Sequence, residues 1–219
     1  LPVLFDIGAN RGDATLAGIQ QGFTVIAVEP APRVFGELVK RFIYSQVRPL
    51  KYAVSDTNNE QIEFYEAAED GLSTLNKDWL TKDTMPYAGK EFRTITATTI
   101  TLDRLCEIYG EPHLIKIDVE GGEWNVFRGM TKYHGELTFE WTQETLNQHQ
   151  EQLAYLTSLG YTKVAPQFIV HHLQRPETWY DIDLDLRTWQ SDNAPAWESH
   201  EWKTAGLRPT ADVGMIWVR

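Results

Sequence analysis

Within the first 44 residues an apolar run, a helix-forming stretch, a second apolar run and a second helix-forming stretch follow one another. That alternation commits the chain to a parallel sheet with helices packed against it. VLFDI (3–7) and TVIAVE (24–29) are short strands rich in branched residues. ATLAGIQQG (14–22) is a helix closed by glycine, and RVFGELVKRFIY (33–44) a helix with Val34, Leu38 and Phe42 on one face. LKYAVS (50–55), QIEFYEA (61–67), FRTITATTI (92–100), HLIKIDV (113–119) and ELTFEW (136–141) continue the strands. TLDRLCEIY (101–109), EWNVFRGM (123–130) and residues 143–160, where Leu146, Leu153, Leu156 and Leu159 recur at helical intervals, supply the later helices. YTKVAPQFIVHHL (161–173) and DVGMIWVR (212–219) read as closing strands. Residues 68–90 carry no regular pattern, and 174–210 hold Trp179, Trp189, Trp197 and Trp202 among prolines and acids.

The 219 residues suit one domain, 1–219, and the absence of an apolar run near the roughly 20 residues of a membrane span predicts a soluble protein. A formal charge of −11 argues against nucleic acid, whose phosphates need a basic surface. It leaves neutral or cationic ligands. Cys106 is the single cysteine, and no secretory signal or glycosylation sequon precedes or follows it, so a cytoplasmic or intracellular setting is expected. Starting at Leu1, two residues before a strand, the chain reads as a segment of a longer polypeptide with neighbouring domains.

In an open parallel sheet ligands bind beyond the carboxyl ends of the strands. Here those ends collect acids: Asp6 with Gly8, Asn10 and Gly12, Glu29 with Pro30, Ser55 with Asp56, then Asp118, Glu120, Glu123 and Glu140. Carboxylates gathered on one rim repel each other, so a purely structural sheet has no use for them. Glu29, at the tip of the second strand, suits the paired hydroxyls of a ribose. The loop Gly8-Ala9-Asn10-Arg11-Gly12 lacks G-x-G-x-x-G spacing, and Asp6 and Asp13 would face the phosphates of a nicotinamide dinucleotide. S-adenosylmethionine has no phosphates and carries two cationic groups. It fits this loop better.

FDIGANRGD, VIAVEPAP, AVSD, TLDRL and LIKIDVEGGEW, in this order across residues 3 to about 142, resemble the FkbM family of S-adenosylmethionine-dependent methyltransferases. The resemblance implies an α/β class I methyltransferase fold: a Rossmann-like three-layer sandwich around a mostly parallel seven-stranded sheet with an antiparallel last strand. It further implies that Asp6, Gly8 and Asn10 contact the methionine end of the cofactor, Glu29 the ribose, and Asp56 with Ala53 or Ser55 the adenine edge. Asp118 falls where such enzymes place a carboxylate beside the transferred methyl. Residues 174–210 match no motif of the family, and the resemblance does not reach them.

Methyl transfer to a hydroxyl needs alignment and a base. Asp118 is the first candidate, with Glu120 and Glu140 behind it and His171 and His172 as outsiders. Alternation puts Lys116, Asp118 and Glu120 on one strand side unless the strand ends before Glu120; Lys116 either holds Asp118 ionised or itself touches the acceptor, and the plainer reading is a buried ion pair. Asp118 and Glu140 would also suit a divalent metal, a reading the missing D-x-D-x-D spacing disfavours. Glu123 more simply favours a helix start. The tryptophan-rich insertion reads either as a lid that stacks Trp179, Tyr180 and Trp189 on an acceptor sugar, with Asp181, Asp183, Asp185 and Asp192 binding hydroxyls, or as a self-packed loop. Because the resembling family acts in glycan and secondary-metabolite pathways, the leading acceptor is a hydroxyl of a sugar or glycan, and a polyketide or lipid hydroxyl comes second. A non-catalytic module recognising glycan beside a glycosyltransferase, and a nicotinamide oxidoreductase, are the competing classes.

Overall fold

The computed structural model describes residues 1–168, 173–193 and 213–219. Its frame is an eight-stranded sheet built from β1 (Val3–Ile7), β2 (Thr24–Val28), β3 (Val47–Leu50), β7 (Leu114–Ile117), β8 (Glu136–Thr142), β9 (Lys163–Phe168), β10 (Tyr180–Asp181) and β11 (Val213–Val218). The spatial order is β10-β9-β11-β8-β7-β1-β2-β3. Strands β3, β2, β1, β7 and β8 pair in parallel, and β11 runs against both of its neighbours, β8 and β9. These seven strands have the class I methyltransferase order, and the two-residue β10 adds an eighth at the edge, antiparallel to β9.

Alternation along each strand divides the core between two faces. Phe5, Ile7, Ile115, Ile117 and Phe139 pack on one side with Leu102, Leu105, Phe127, Leu146 and Leu153, which come from α4 (Leu102–Tyr109), α5 (Glu123–Arg128) and α6 (Leu146–Ser158). Leu4, Val25 and Ala27 face the other way, toward α1 (Asp13–Gln20) and Leu38 of α2 (Pro32–Arg41). Each large apolar side chain buried this completely contributes roughly 1.5–3 kcal/mol. The sheet therefore cannot shift register by one residue without exposing both layers.

A second, three-stranded sheet of order β4-β6-β5 joins β4 (Ala53–Val54), β5 (Gln61–Ala67) and β6 (Phe92–Ile100). The strand expected over 50–55 is thus two pieces in two sheets. Leu50 still pairs with Val28, whereas Ala53 and Val54 pair with Thr99 and Ile100, and the chain turns between them at Lys51 and Tyr52. The patternless stretch contains a helix of one turn, α3 (Asp78–Thr81), that buries Trp79 and Leu80. The helix expected from residue 143 opens as a 3-10 turn, Gln143–Thr145, closed by a capping box between Thr142 and Thr145.

Another helix, α7 (Leu186–Asn193), was not expected. Its signal is a cap: Asp185 Oδ1 accepts the Thr188 N–H at 2.7 Å, and Leu186 and Trp189, three apart, are buried. β9 covers Lys163–Phe168 and β11 covers Val213–Val218; the strand expectations for 169–172 and 212 lie outside the described residues, and Leu173 is in a turn.

Candidate active site

Strand order in the large sheet reverses at β1, with β2 added on one side and β7 on the other, all three strands parallel. Such a switch point opens a crevice beyond the carboxyl ends. The loops after β1 and β7 meet there: a Cβ on Gly8, whose φ is 75°, would stand 1.8 Å from the Asp118 carbonyl oxygen. Only glycine fits.

Glu29 joins two loops of this cleft. Its Oε2 accepts the Asn10 N–H at 2.9 Å and its Oε1 the Ala31 N–H at 2.8 Å. Burial, opposed by these two bonds, pushes its carboxyl up to about 7. Each oxygen retains a lone pair for a ligand hydroxyl. Beside it, the buried Asn10 Oδ1 has no hydrogen-bond partner among the described residues, an acceptor left for a ligand donor. The apolar part of the lining, which includes Val34, Tyr52, Ala53, Val54 and Phe64, is suited to a flat base. This donor and acceptor set fits S-adenosylmethionine.

Three sequence expectations are corrected at this cleft. Asp6 does not line it. The carboxylate is fully buried beneath the loop, where Oδ2 accepts the Thr15 hydroxyl at 2.5 Å and Oδ1 lies 3.5 Å from Lys116 Nζ. Ser55 and Asp56 are also outside the lining, which Ala53, the alternative to Ser55, supplies together with Tyr52 and Val54. Ser55 donates its N–H to the Ile100 carbonyl, and Asp56 sits 3.6 Å from Arg128. Asp13 reaches the cleft but pairs with Arg41 at 2.6 Å.

Lys116 and Asp6 are register partners across β7 and β1. Lys116 Nζ lies 3.1 Å from Asp118 Oδ2 and 3.4 Å from the Gly8 carbonyl oxygen. Burial opposes its charge, yet Asp118 and Asp6 outweigh burial and hold the ammonium charged well above the usual lysine range. Lys116 is buried and pairs with the partly exposed Asp118, the ion pair that the sequence offered as one of its readings.

Because β7 ends at Ile117, Glu120 does not follow strand alternation. It takes a left-handed backbone (φ 56°) that turns its carboxylate toward Asp118 and Glu140, all three having oxygens within 4.8 Å of one another. Burial, then Glu140 and Asp118, raises the Glu120 carboxyl well above its ordinary value. Glu123 stays out of the lining: Oε1 accepts the Val119 N–H at 3.3 Å, fastening the start of α5.

The sequence missed the strap formed by residues 68–81. Gly71, Ser73 and Leu75 line the cleft. On one side Asp70 pairs with Arg11 and, at 2.5 Å, with Arg33. On the other, Thr74 Oγ1 donates to the Glu120 carbonyl at 2.7 Å, Asn76 Nδ2 to the Gly121 carbonyl at 3.2 Å, and Trp79 Nε1 to Glu120 Oε2 at 3.0 Å. A Cβ on Gly121 would come within 2.7 Å of the Trp79 ring. The polar residues Asp70, Thr74 and Asn76 were visible in the sequence but had no periodicity to mark them.

The aromatic residues expected to hold an acceptor are separated. Tyr180 pairs with Val164 and Trp179 stacks under Arg219, both at the amino ends of the parallel strands, the rim away from the cleft. Neither lines the cleft. Trp189 lies toward the carboxyl ends, but it is buried and its ring stacks on Phe168 with centroids 4.7 Å apart. His171, His172, Trp197 and Trp202 lie outside the described residues.

No curated protein sequence matches the chain. Solved structures similar to it include a precorrin-6Y C5,15-methyltransferase from Geobacter metallireducens, with 12% identity over 100% of this chain and 79% of that one and a TM-score of 0.44. An S-adenosylmethionine-dependent methyltransferase from Mesorhizobium loti is similar at 8% identity, 100% and 90% coverage and a TM-score of 0.47. A precorrin-8W decarboxylase from Methanobacterium thermoautotrophicum is similar at 13%, 100% and 81%, and 0.47. Residues 6–163, more than half of the chain, match the methyltransferase FkbM domain, and the chain belongs to that family of S-adenosylmethionine-dependent methyltransferases.

Proposed function

We propose that this methyltransferase acts on oxygen, at a hydroxyl of a sugar or glycan. The observation that carries the reading is the convergence of Asp118, Glu120 and Glu140 at the carboxyl ends of β7 and β8, next to the methyl-donor cleft. An alcohol is a weak nucleophile, and a positioned base adds about 10²- to 10⁴-fold to its reaction. Carboxylates also accept the several hydroxyl hydrogen bonds a polyhydroxylated acceptor offers.

Glu29 and Asn10 would hold the nucleoside and methionine portions of S-adenosylmethionine, with the Tyr52–Val54 wall against the base. Bound there, the cofactor supplies a methyl on a sulfonium. Asp118 would take the proton of the acceptor hydroxyl, leaving that oxygen free to accept the methyl. Lys116 compensates the Asp118 charge, and Asp6 beneath it keeps Lys116 in place. Glu120, held by Trp79, and Glu140 orient neighbouring hydroxyls.

The same three carboxylates favour a second reading, in which a divalent cation held by Asp118 and Glu140 activates the hydroxyl in place of a base. Labelled donor incubated with sugar, polyketide and lipid alcohols, followed by mass spectrometry, tests the acceptor. Methyl found only on a polyketide or lipid oxygen, or on nitrogen or carbon, would overturn the sugar reading. Asp118→Asn should lower kcat by about 10²- to 10⁴-fold while S-adenosylhomocysteine still binds. Loss of turnover on chelation, restored by magnesium or manganese, would favour the cation.

A further inference from the structure

On the rim away from the cleft, three metal-ligating side chains from separate segments converge. Cys106 comes from α4, Glu111 from the loop that follows it, and His134 from the loop before β8, with ligand atoms all within 4.8 Å of one another. Cys106 and His134 are buried and Glu111 is open to solvent. The His134 ring is oriented on both sides. Nδ1 faces Glu111 Oε2 at 2.7 Å, and Nε2 faces Asp103 Oδ1 at 2.6 Å. Asp103 is fixed in turn by the Thr131 N–H at 3.1 Å and the Thr131 hydroxyl at 2.7 Å.

We propose that Cys106, Glu111 and His134 form a binding site for one thiophilic divalent cation of the zinc class, at the amino ends of β7 and β8 and separate from the methyl-transfer site. Thiolate, imidazole and carboxylate together select a borderline-soft ion over magnesium or calcium, which prefer all-oxygen shells. The Asp103 carboxylate on the far ring nitrogen is the outer partner that zinc-bound histidines typically have: it fixes the tautomer and raises ligand basicity. Three protein ligands leave a fourth position, which opens to solvent on the Glu111 side. Lys132 competes for Glu111 only at Oε1, 2.8 Å away, and is itself exposed. Without a cation, burial and the charges of Glu111 and Asp103 push the Cys106 thiol up to about 12. A doubly charged ion reverses that balance, and on binding the thiol proton and any Nδ1 proton leave to solvent.

Cobalt(II) titrated into the full chain in a thiol-free buffer tests the site. Because Cys106 is the only cysteine, a thiolate-to-metal charge-transfer band reports on this site alone. The expected result is one equivalent of cobalt giving that band, displaced by one equivalent of zinc. Cys106→Ser should abolish the band yet bind S-adenosylhomocysteine as wild type does, which shows that it folds. His134→Gln should weaken cobalt binding at least tenfold. Cobalt bound without the band, cobalt affinity unchanged in either variant, or no cobalt bound at all would overturn the proposal.

Discussion

Glu29 shows how one residue sets conditions for the ligand. Its two oxygens already fix the Asn10 and Ala31 amides, and burial pushes its carboxyl up to about 7. A ribose hydroxyl donates best to the ionised form, so ligand binding releases a proton below that value. Affinity for S-adenosylhomocysteine should therefore rise with pH, by up to about tenfold per unit below 7, and level off above it. Calorimetry at pH 5.5, 6.5 and 8 measures this. Glu29→Gln should bind more weakly at pH 8 and show no such rise; a rise that persists in the variant assigns the proton elsewhere. Glu29 and Gly8 were legible in the sequence because each stands at a strand end. The burial of Asp6 was not, since strand alternation gives a side and not a depth, and Thr15 and Lys116, which pair with it, come from other elements.

At the scale of elements, the strap is held over the cleft by a latch and a hinge side. Asp70 binds Arg11 and Arg33, while Thr74, Asn76 and Trp79 grip the Glu120–Gly121 turn. Exposed ion pairs contribute about 0–1 kcal/mol each and weaken with salt. Asp70→Ala should then speed S-adenosylhomocysteine release roughly fivefold, read by stopped-flow tryptophan fluorescence. Wild-type release should quicken with ionic strength and the variant's should not. Equal rates in both proteins would show that the latch does not limit exit. Sequence periodicity located β1, β5 and β6 to the residue, yet it overlooked the strap, because an element held by turns and side-chain bonds has no repeat to read.

For the whole molecule, buried titratable groups give stability a pH dependence with a definite sign. Burial pushes Glu29 and Glu123 up to about 7, and the unfolded chain releases those protons near 4.5. The native state thus holds more protons between about 4.5 and 7, and stability falls as pH rises through that window. His149, buried and pushed down to about 4 from 6.5, acts in the opposite sense: its contribution is lost as pH falls. Glu120, whose carboxyl burial also raises, acts with Glu29 and Glu123, and three groups against one leave a net fall. Urea unfolding of the free protein should give a lower midpoint at pH 7.5 than at pH 5.5, and Glu123→Gln should reduce the difference. A midpoint that climbs over this range would show that His149 and the surface carboxylates dominate.

The alternation of apolar runs and helical stretches determined the layers, the parallel core of the sheet and the rim on which chemistry would lie, because burial on two faces leaves each strand and helix one arrangement. The spacing of glycines and acids determined a nucleoside ligand without phosphates, since charge sign and close backbone approach are local properties. The tertiary structure decided what each acid faces. It buried Asp6 under Lys116, turned Glu120 toward Asp118 and Glu140, and laid the strap across both. It also sent Trp179 and Tyr180 to the opposite rim, because the direction of β9 and β11 sets which end of the molecule a closing segment reaches. Distances across a sheet depend on strand order, and strand order is written in no single segment.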